Sequence, residues 1–281
     1  MSLSGKTIFI SGASRGIGLA IALRAARDGA NVALIAKTAQ PHPRLEGTIY
    51  TAAEQIEAAG GQALPVVGDI RDEAQVEAAV AQAVERFGGI DVCVNNASAI
   101  NLARSEALDM KRYDLMQDIN VRGTFAVSRA CIPHLRKAEN PHVLTLSPPI
   151  DLDPRWLGPH LGYTLAKYGM SLVALGLAAE LREDGIASNA LWPRTLVATA
   201  AVQNLLGGDA AMARARKPSV YADAAYAVLC RPARDCTGNA FLCEDVLVEE
   251  GVTDLSEYSY VEGAELAVDL FVDAADPPAL A

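Results

Sequence analysis

Tyr163 and Lys167 stand four residues apart in the run Tyr163-Thr-Leu-Ala-Lys167. On a helix, positions i and i+4 share a face, so one site could use both the phenol and the ammonium. A lysine cation beside a phenol favours the phenolate, moving a group with a reference pKa near ~10 toward acid/base chemistry at neutral pH. Such a pair suits a carbonyl or alcohol substrate. A Tyr and a Lys at this spacing also occur by chance on many helices, so the pair acquires meaning only from the elements that would position it.

The first of those elements opens the chain. Thr7 to Ile10 reads as a short strand, Ser11-Gly-Ala-Ser-Arg-Gly-Ile-Gly18 as a turn, and the Ala/Leu-rich segment up to Asp28 as a helix. Strand, glycine turn and helix make the first half of a βαβ unit. Gly12, Gly16 and Gly18 permit a tight turn and let backbone N–H groups and the helix N-terminus approach a pyrophosphate, with Ser14, Arg15 and Ile17 inside the same turn. A second strand, Asn31 to Ala36, ends in Lys37-Thr38, where an NAD enzyme would carry an Asp or Glu for the ribose 2′-hydroxyl. Lys37, with Arg15 as a second cation, favours a 2′-phosphate, and hence NADP over NAD.

Further along, Pro41, Pro43 and Gly47 predict a loop over 38–48 before a helix from about Thr51 to Ala59. Leu64 to Val67 is a third strand ending at Asp69, which is placed to cap a helix or to bond an adenine edge. After a helix from Asp72 to about Phe87, a fourth strand over Ile90 to Val94 runs into Asn95-Asn96-Ala97-Ser98. In an open parallel sheet, ligands sit beyond such strand ends, and the small Ala97 allows a cofactor ring close to the backbone. A helical pattern from about Met110 to Arg136 carries Asn120, which alone reads as a tolerated polar residue. His142 to Ser147 makes a fifth strand, and an irregular connection leads to the helix from Tyr163 to Arg182. A sixth strand spans Ile186 to Trp192 before Pro193 opens a segment to Lys217 that is either a lid or a plain surface stretch. Past a helix near Ser219 to Leu229, the runs Thr237 to Leu242 and Val246 to Gly251 are expected to supply a seventh strand.

Composition bounds the rest. The 281 residues are 51% hydrophobic and 21% charged, as expected of a globular chain. A net charge of -10 argues against a nucleic-acid or anionic-membrane partner, which needs a basic face. The five cysteines are odd in number and none fall in a C-x-x-C pair, so no disulfide framework and no metal site is expected. With no signal segment and no long apolar run, the chain reads as cytoplasmic. No composition break marks an internal boundary, so residues 1–255 are taken as one NADP-binding domain and 256–281 as an acidic C-terminal arm or disordered tail.

Taken together, Gly12-x-x-x-Gly16-x-Gly18, Asp69, Asn95-Asn96-Ala97, Asn120 and Tyr163-x-x-x-Lys167 resemble the short-chain dehydrogenase/reductase family over about residues 5 to 251. Ala36 to Tyr50, Leu146-Ser-Pro-Pro149, Tyr163 to Met170 and Ala190-Leu-Trp-Pro193 resemble more narrowly a hydroxysteroid dehydrogenase-like branch of it. The resemblance implies an α/β fold of Rossmann type, a doubly wound parallel sheet of about seven strands, and a homodimer or homotetramer built through the two long helices beside the site. It implies Tyr163 as proton donor or acceptor, Lys167 on the nicotinamide ribose, Asn120 holding a relay water and Asn96 beside the nicotinamide, with Pro193 among the cofactor contacts.

Two departures stand out. The family usually ends its fifth strand in a Ser pair whose second member is catalytic, whereas here the pair reads Ser147-Pro148. Ser147 is therefore the candidate for that role. Eukaryotic members of the branch also carry a sterol-carrier domain after the reductase part, for which no room is left here, so lipid transfer is not expected. The expected function is hydride transfer between NADP(H) and a carbonyl/alcohol pair, probable substrates being lipid-like small molecules; the alternative is a non-catalytic NADP(H)-binding sensor or subunit.

Overall fold

Alternate residues of a strand face opposite sides of a sheet, so a strand that is apolar at every position must be covered on both. In the computed structural model, which describes residues 1–42 and 45–274, the strands β1 (Thr7–Ser11) and β2 (Asn31–Ala36) are buried along almost their whole length. They are followed by β3 (Gln62–Val67), β4 (Val92–Asn95), β5 (His142–Thr145), β6 (Ala187–Trp192) and β7 (Ala240–Leu242). All seven pair in parallel in the order β3-β2-β1-β4-β5-β6-β7. The strand order reverses between β1 and β4, which opens a crevice at their carboxyl ends.

Period-two alternation sorts the core into two layers. Ile8, Ile10, Val32 and Leu34 face one side, where the helices Gly16–Ala26, Ile49–Ala58 and Ser219–Cys230 cover them. Phe9, Ala33 and Ile35 face the other, beneath Glu73–Phe87, Thr124–Leu135 and Leu161–Glu180. The result is a single Rossmann-type layered unit.

Three expectations need correction. The helix anticipated over Met110 to Arg136 consists of Met110–Met116, a π-helical turn Gln117–Gly123 and Thr124–Leu135, and the π turn holds Asn120. The run Val246 to Gly251 is not strand: Cys243–Glu249 is a helix with Glu244 and Asp245 in its first turn, where carboxylates complement the helix dipole. The acidic stretch after Ser256 does not stand off as a tail over 256–274; Tyr258, Phe271 and Val272 are buried against the body. Pro43 of the expected loop, and the terminal run Asp276 to Ala281, lie outside the described residues.

Candidate active site

Two adjoining cavities occupy the crevice. The larger, about 660 Å³, is lined by Gly12, Ser14, Arg15, Gly16, Lys37 and Asp69. Asn96 and Ala97 close its floor, and Ile17 continues into a second pocket of about 180 Å³ that contains Tyr163, Lys167 and Pro193. All these predicted residues except Gly18, Asn120 and Ser147 therefore line one continuous crevice.

The glycine turn is held there by the end of β4. Asn96 Nδ2 donates to the carbonyls of Ser11 at 2.9 Å and Gly12 at 3.0 Å, and Ser11 Oγ accepts from Asn96 N and Ala97 N at 3.2 Å. A Cβ on Gly12, whose φ is +74°, would lie 2.8 Å from Ala97 Cα, and one on Gly18 would lie 2.5 Å from Asn96 Nδ2. Gly18 thus serves the packing of turn against strand, not the cavity wall, while Gly12 and Gly16 form a cradle along the cavity.

At the far end of the larger cavity, Lys37 Nζ lies 3.4 Å from Asp69, and Arg71 binds the same carboxylate at 2.6 Å. The Arg71 hydrogen bond, opposed by burial and helped by the Lys37 charge, holds the Asp69 carboxyl down to about 2. Helix capping falls instead to Asp72, which accepts from Gln75 N. Arg15 donates to the carbonyls of Glu46 and Gly47, both at 2.8 Å, and so bridges the glycine turn to the 38–48 loop.

In the smaller pocket, Tyr163 and Lys167 sit on the same buried face of Leu161–Glu180. Lys167 Nζ donates to Leu146 O at 2.8 Å and lies 4.9 Å from the centre of the Trp192 ring. Burial pulls the Lys167 ammonium down to about 7, against the opposing charge of Asp269. The expected lowering of the Tyr163 phenol is not what this environment produces. Burial, then the charge of Asp269, pushes it well above the usual phenol range. Tyr163 is thus a protonated phenol across the neutral range.

Asn120 and Ser147 lie behind the pocket wall. Asn120 is fully buried, and its amide exchanges two hydrogen bonds with Ala99, at 2.7 Å to Oδ1 and 3.0 Å from Nδ2, which ties the π turn to the loop after β4. The Ser147 hydroxyl is fully buried and has no hydrogen-bond partner among the described residues, and Leu146 rather than Ser147 lines the pocket. Thr199, the N-cap of the short helix Ala200–Leu205, and Ala201 within it line both cavities, so the segment after Pro193 borders the site.

The sequence reading missed Trp192 and Asp269 as pocket residues. Trp192 is the last residue of β6, at a carboxyl end where site residues belong, and was read only as the strand's terminus. Asp269 interrupts the apolar run Leu266 to Val272, the signal that this part of an acidic stretch is buried. Among the described residues no cluster of acidic, His or Cys side chains could hold a metal ion, and no helix is long and apolar enough to cross a membrane.

The glycine cradle at the sheet's switch point and the Tyr-Lys pair one turn into a helix define a dinucleotide-fold dehydrogenase site. The short chain dehydrogenase family model matches residues 6–208, and the chain belongs to that family. Among its relatives, it is 56% identical to hydroxysteroid dehydrogenase-like protein 2 of Danio rerio over 96% of this chain and 65% of that one, and 52% identical to the Homo sapiens protein over 96% and 64%. The chain thus spans a little under two thirds of these relatives. A crystal structure of a short chain dehydrogenase from Mycobacterium thermoresistibile is 69% identical, covers 99% of both chains and superposes with a TM-score of 0.94.

Proposed function

We propose that the chain is an NADP(H)-dependent oxidoreductase that interconverts a carbonyl and an alcohol, with a lipid-like small molecule as substrate. The observation that carries this reading is the juxtaposition of a protonated, buried Tyr163 and Lys167 in a pocket continuous with the glycine-lined cavity. The apolar surroundings of the pocket, Ile100, Leu146, Trp192 and Val202, support a lipid-like partner.

The cavity's residues fit a dinucleotide. The glycine turn, with Ser14 and Ile17, would hold its pyrophosphate, Lys37 and Arg15 its 2′-phosphate, Asp69 its adenine side, and Asn96, Ala97 and Pro193 its nicotinamide side. When bound, the nicotinamide supplies or accepts the hydride. The chain itself supplies position and a proton. Tyr163 gives its phenolic proton to the carbonyl oxygen in reduction, and Lys167 orients the ribose and stabilises the phenolate that Tyr163 becomes. Asn120, from behind the pocket wall, supports the relay that restores that proton, and Ser147 would have to turn from its buried position toward the pocket to take the part of the family's second serine. Residues 1–255 form the cofactor-binding domain, and the stretch from 256 is a C-terminal arm that packs back on it and brings Asp269 to the smaller pocket.

A second reading, a non-catalytic NADP(H) sensor, is favoured by one observation: the Ser147 hydroxyl is buried away from the pocket and Pro148 has no donor. The two readings part on a simple assay. Fluorescence titration should show tighter binding of NADPH than NADH, and NADPH should be oxidised by members of a panel of neutral ketones. Binding without turnover by any ketone would favour the sensor, and equal affinity for the two nucleotides would defeat the choice of NADP. The cytoplasm, a homodimer or homotetramer, and the absence of nucleic-acid and membrane partners complete the proposal.

A further inference from the structure

The pocket receives one residue from far along the chain. Residues 266–272 read Leu-Ala-Val-Asp-Leu-Phe-Val, a lone carboxyl in an apolar run. This strap is stitched to the segment after β6: Leu196 N–H donates to Ala267 O at 3.0 Å, Asp269 N–H to Arg194 O at 2.9 Å, and Trp192 Nε1 to Leu270 O at 2.9 Å. Phe271 then inserts among Trp156, Tyr163, Tyr168 and Trp192, with ring centroids 5.2 to 6.3 Å away. Its φ of +71° is a left-handed conformation that a bulky residue keeps only when its surroundings impose it. The chain is therefore fixed on both sides of Asp269.

The Asp269 side chain lines the same small pocket as Tyr163 and Lys167. Oδ1 accepts the Leu270 N–H at 2.7 Å, while among the described residues Oδ2 makes no hydrogen bond. A carboxyl oxygen thus remains available in the pocket.

We propose that Asp269 is a substrate-contacting residue whose carboxyl donates a hydrogen bond to the substrate oxygen beside Tyr163 and, once ionised above neutral pH, turns away compounds with a carboxylate next to the carbonyl. The proposal rests on the carbonyl/alcohol reading of the pocket. Asp269 keeps its proton through the step: the carbonyl π bond breaks, the hydride completes the new C–H bond and the Tyr163 proton the new O–H bond. The surroundings suit a protonated acid. Tyr163 and Lys167 face it from one helix, Tyr221 from Ser219–Cys230, and Cys243 and Glu244 from Cys243–Glu249. Burial raises Asp269 to about 7, opposed by the Leu270 N–H and Lys167 and assisted by Glu244, so the donor is present in the acid-to-neutral range and becomes a repelling carboxylate above it.

The test compares wild type, Asp269→Asn, Asp269→Ala and Tyr163→Phe in NADPH oxidation with 2-heptanone and with 2-oxoheptanoate, from about pH 5.5 to about pH 8.5. Asp269→Ala should lower kcat/KM for 2-heptanone by about 10- to 100-fold, the worth of a buried donor, with NADPH affinity within about threefold of wild type. Asp269→Asn keeps a donor that does not titrate. It should stay within a few-fold of wild type near pH 6, lose the decline centred near pH 7, and gain on 2-oxoheptanoate relative to 2-heptanone. Unchanged kcat/KM in Asp269→Ala, or a decline that persists in Asp269→Asn, overturns the role of Asp269 while an inactive Tyr163→Phe leaves the carbonyl reading standing. Failure of wild type to reduce either ketone, or full activity of Tyr163→Phe, overturns both together.

Discussion

Lys37 is the side chain on which the proposed choice of NADP turns. It is about half exposed, and its partner Asp69 is already held by Arg71 at 2.6 Å. An exposed pair of that kind contributes well under ~1 kcal/mol, so a phosphate can take the ammonium with little lost. Lys37→Ala should therefore weaken NADPH binding by about 1–3 kcal/mol, the scale of a charge-assisted hydrogen bond, and leave NADH nearly unaffected. Fluorescence titration of both nucleotides checks this, and an equal loss for the two would mean that Lys37 does not meet the 2′-phosphate. Lys37 could be read from the sequence because it follows a strand whose end has a known neighbour in the fold. The state of Tyr163 could not, because its burial depends on Phe271 and Asp269, more than a hundred residues away.

At the scale of elements, the strands were readable where the run is apolar throughout, as over Val32 to Ala36, since only a doubly covered strand uses such a run. Val246-Leu-Val misled for the same reason: its apolar residues are buried by a helix, and the telling residues were Glu244 and Asp245 just before it. The π turn at Asn120 has no periodicity of its own and is fixed by the two bonds to Ala99. One strand carries a stability prediction. His142, in β5, is buried; Nε2 meets the Arg231 carbonyl at 3.1 Å and among the described residues Nδ1 has no partner, and burial takes its pKa down to about 4. Between that value and an unfolded pKa near ~6.5, the unfolded chain binds a proton the folded one refuses. Stability is then fully present above about pH 6.5 and falls by on the order of 3 kcal/mol as pH drops to about 4. In His142→Phe this share of the acid loss should vanish from urea-unfolding curves; an unaltered pH dependence would contradict it.

For the whole molecule, two helices on the Tyr163 side of the sheet leave Phe125, Leu165 and Leu172 at 52%, 48% and 62% exposed. Apolar side chains held out on the helices Thr124–Leu135 and Leu161–Glu180 are what a homo-oligomer would cover. Light scattering should find an oligomer for the wild type and a monomer for a Leu165→Glu/Leu172→Glu variant; a wild-type monomer would refute the proposed assembly. The same helix that offers those leucines outward presents Tyr163 and Lys167 inward, so assembly and chemistry share one element. The most direct test of that chemistry is steady-state NADPH oxidation with a reducible ketone by wild type and Tyr163→Phe, with NADPH affinity measured alongside. Loss of the phenolic proton should lower turnover by roughly 10²–10⁴-fold, the usual worth of a placed proton donor, with NADPH binding nearly intact. Wild-type turnover in the Phe variant would make Tyr163 a core aromatic and contradict the account.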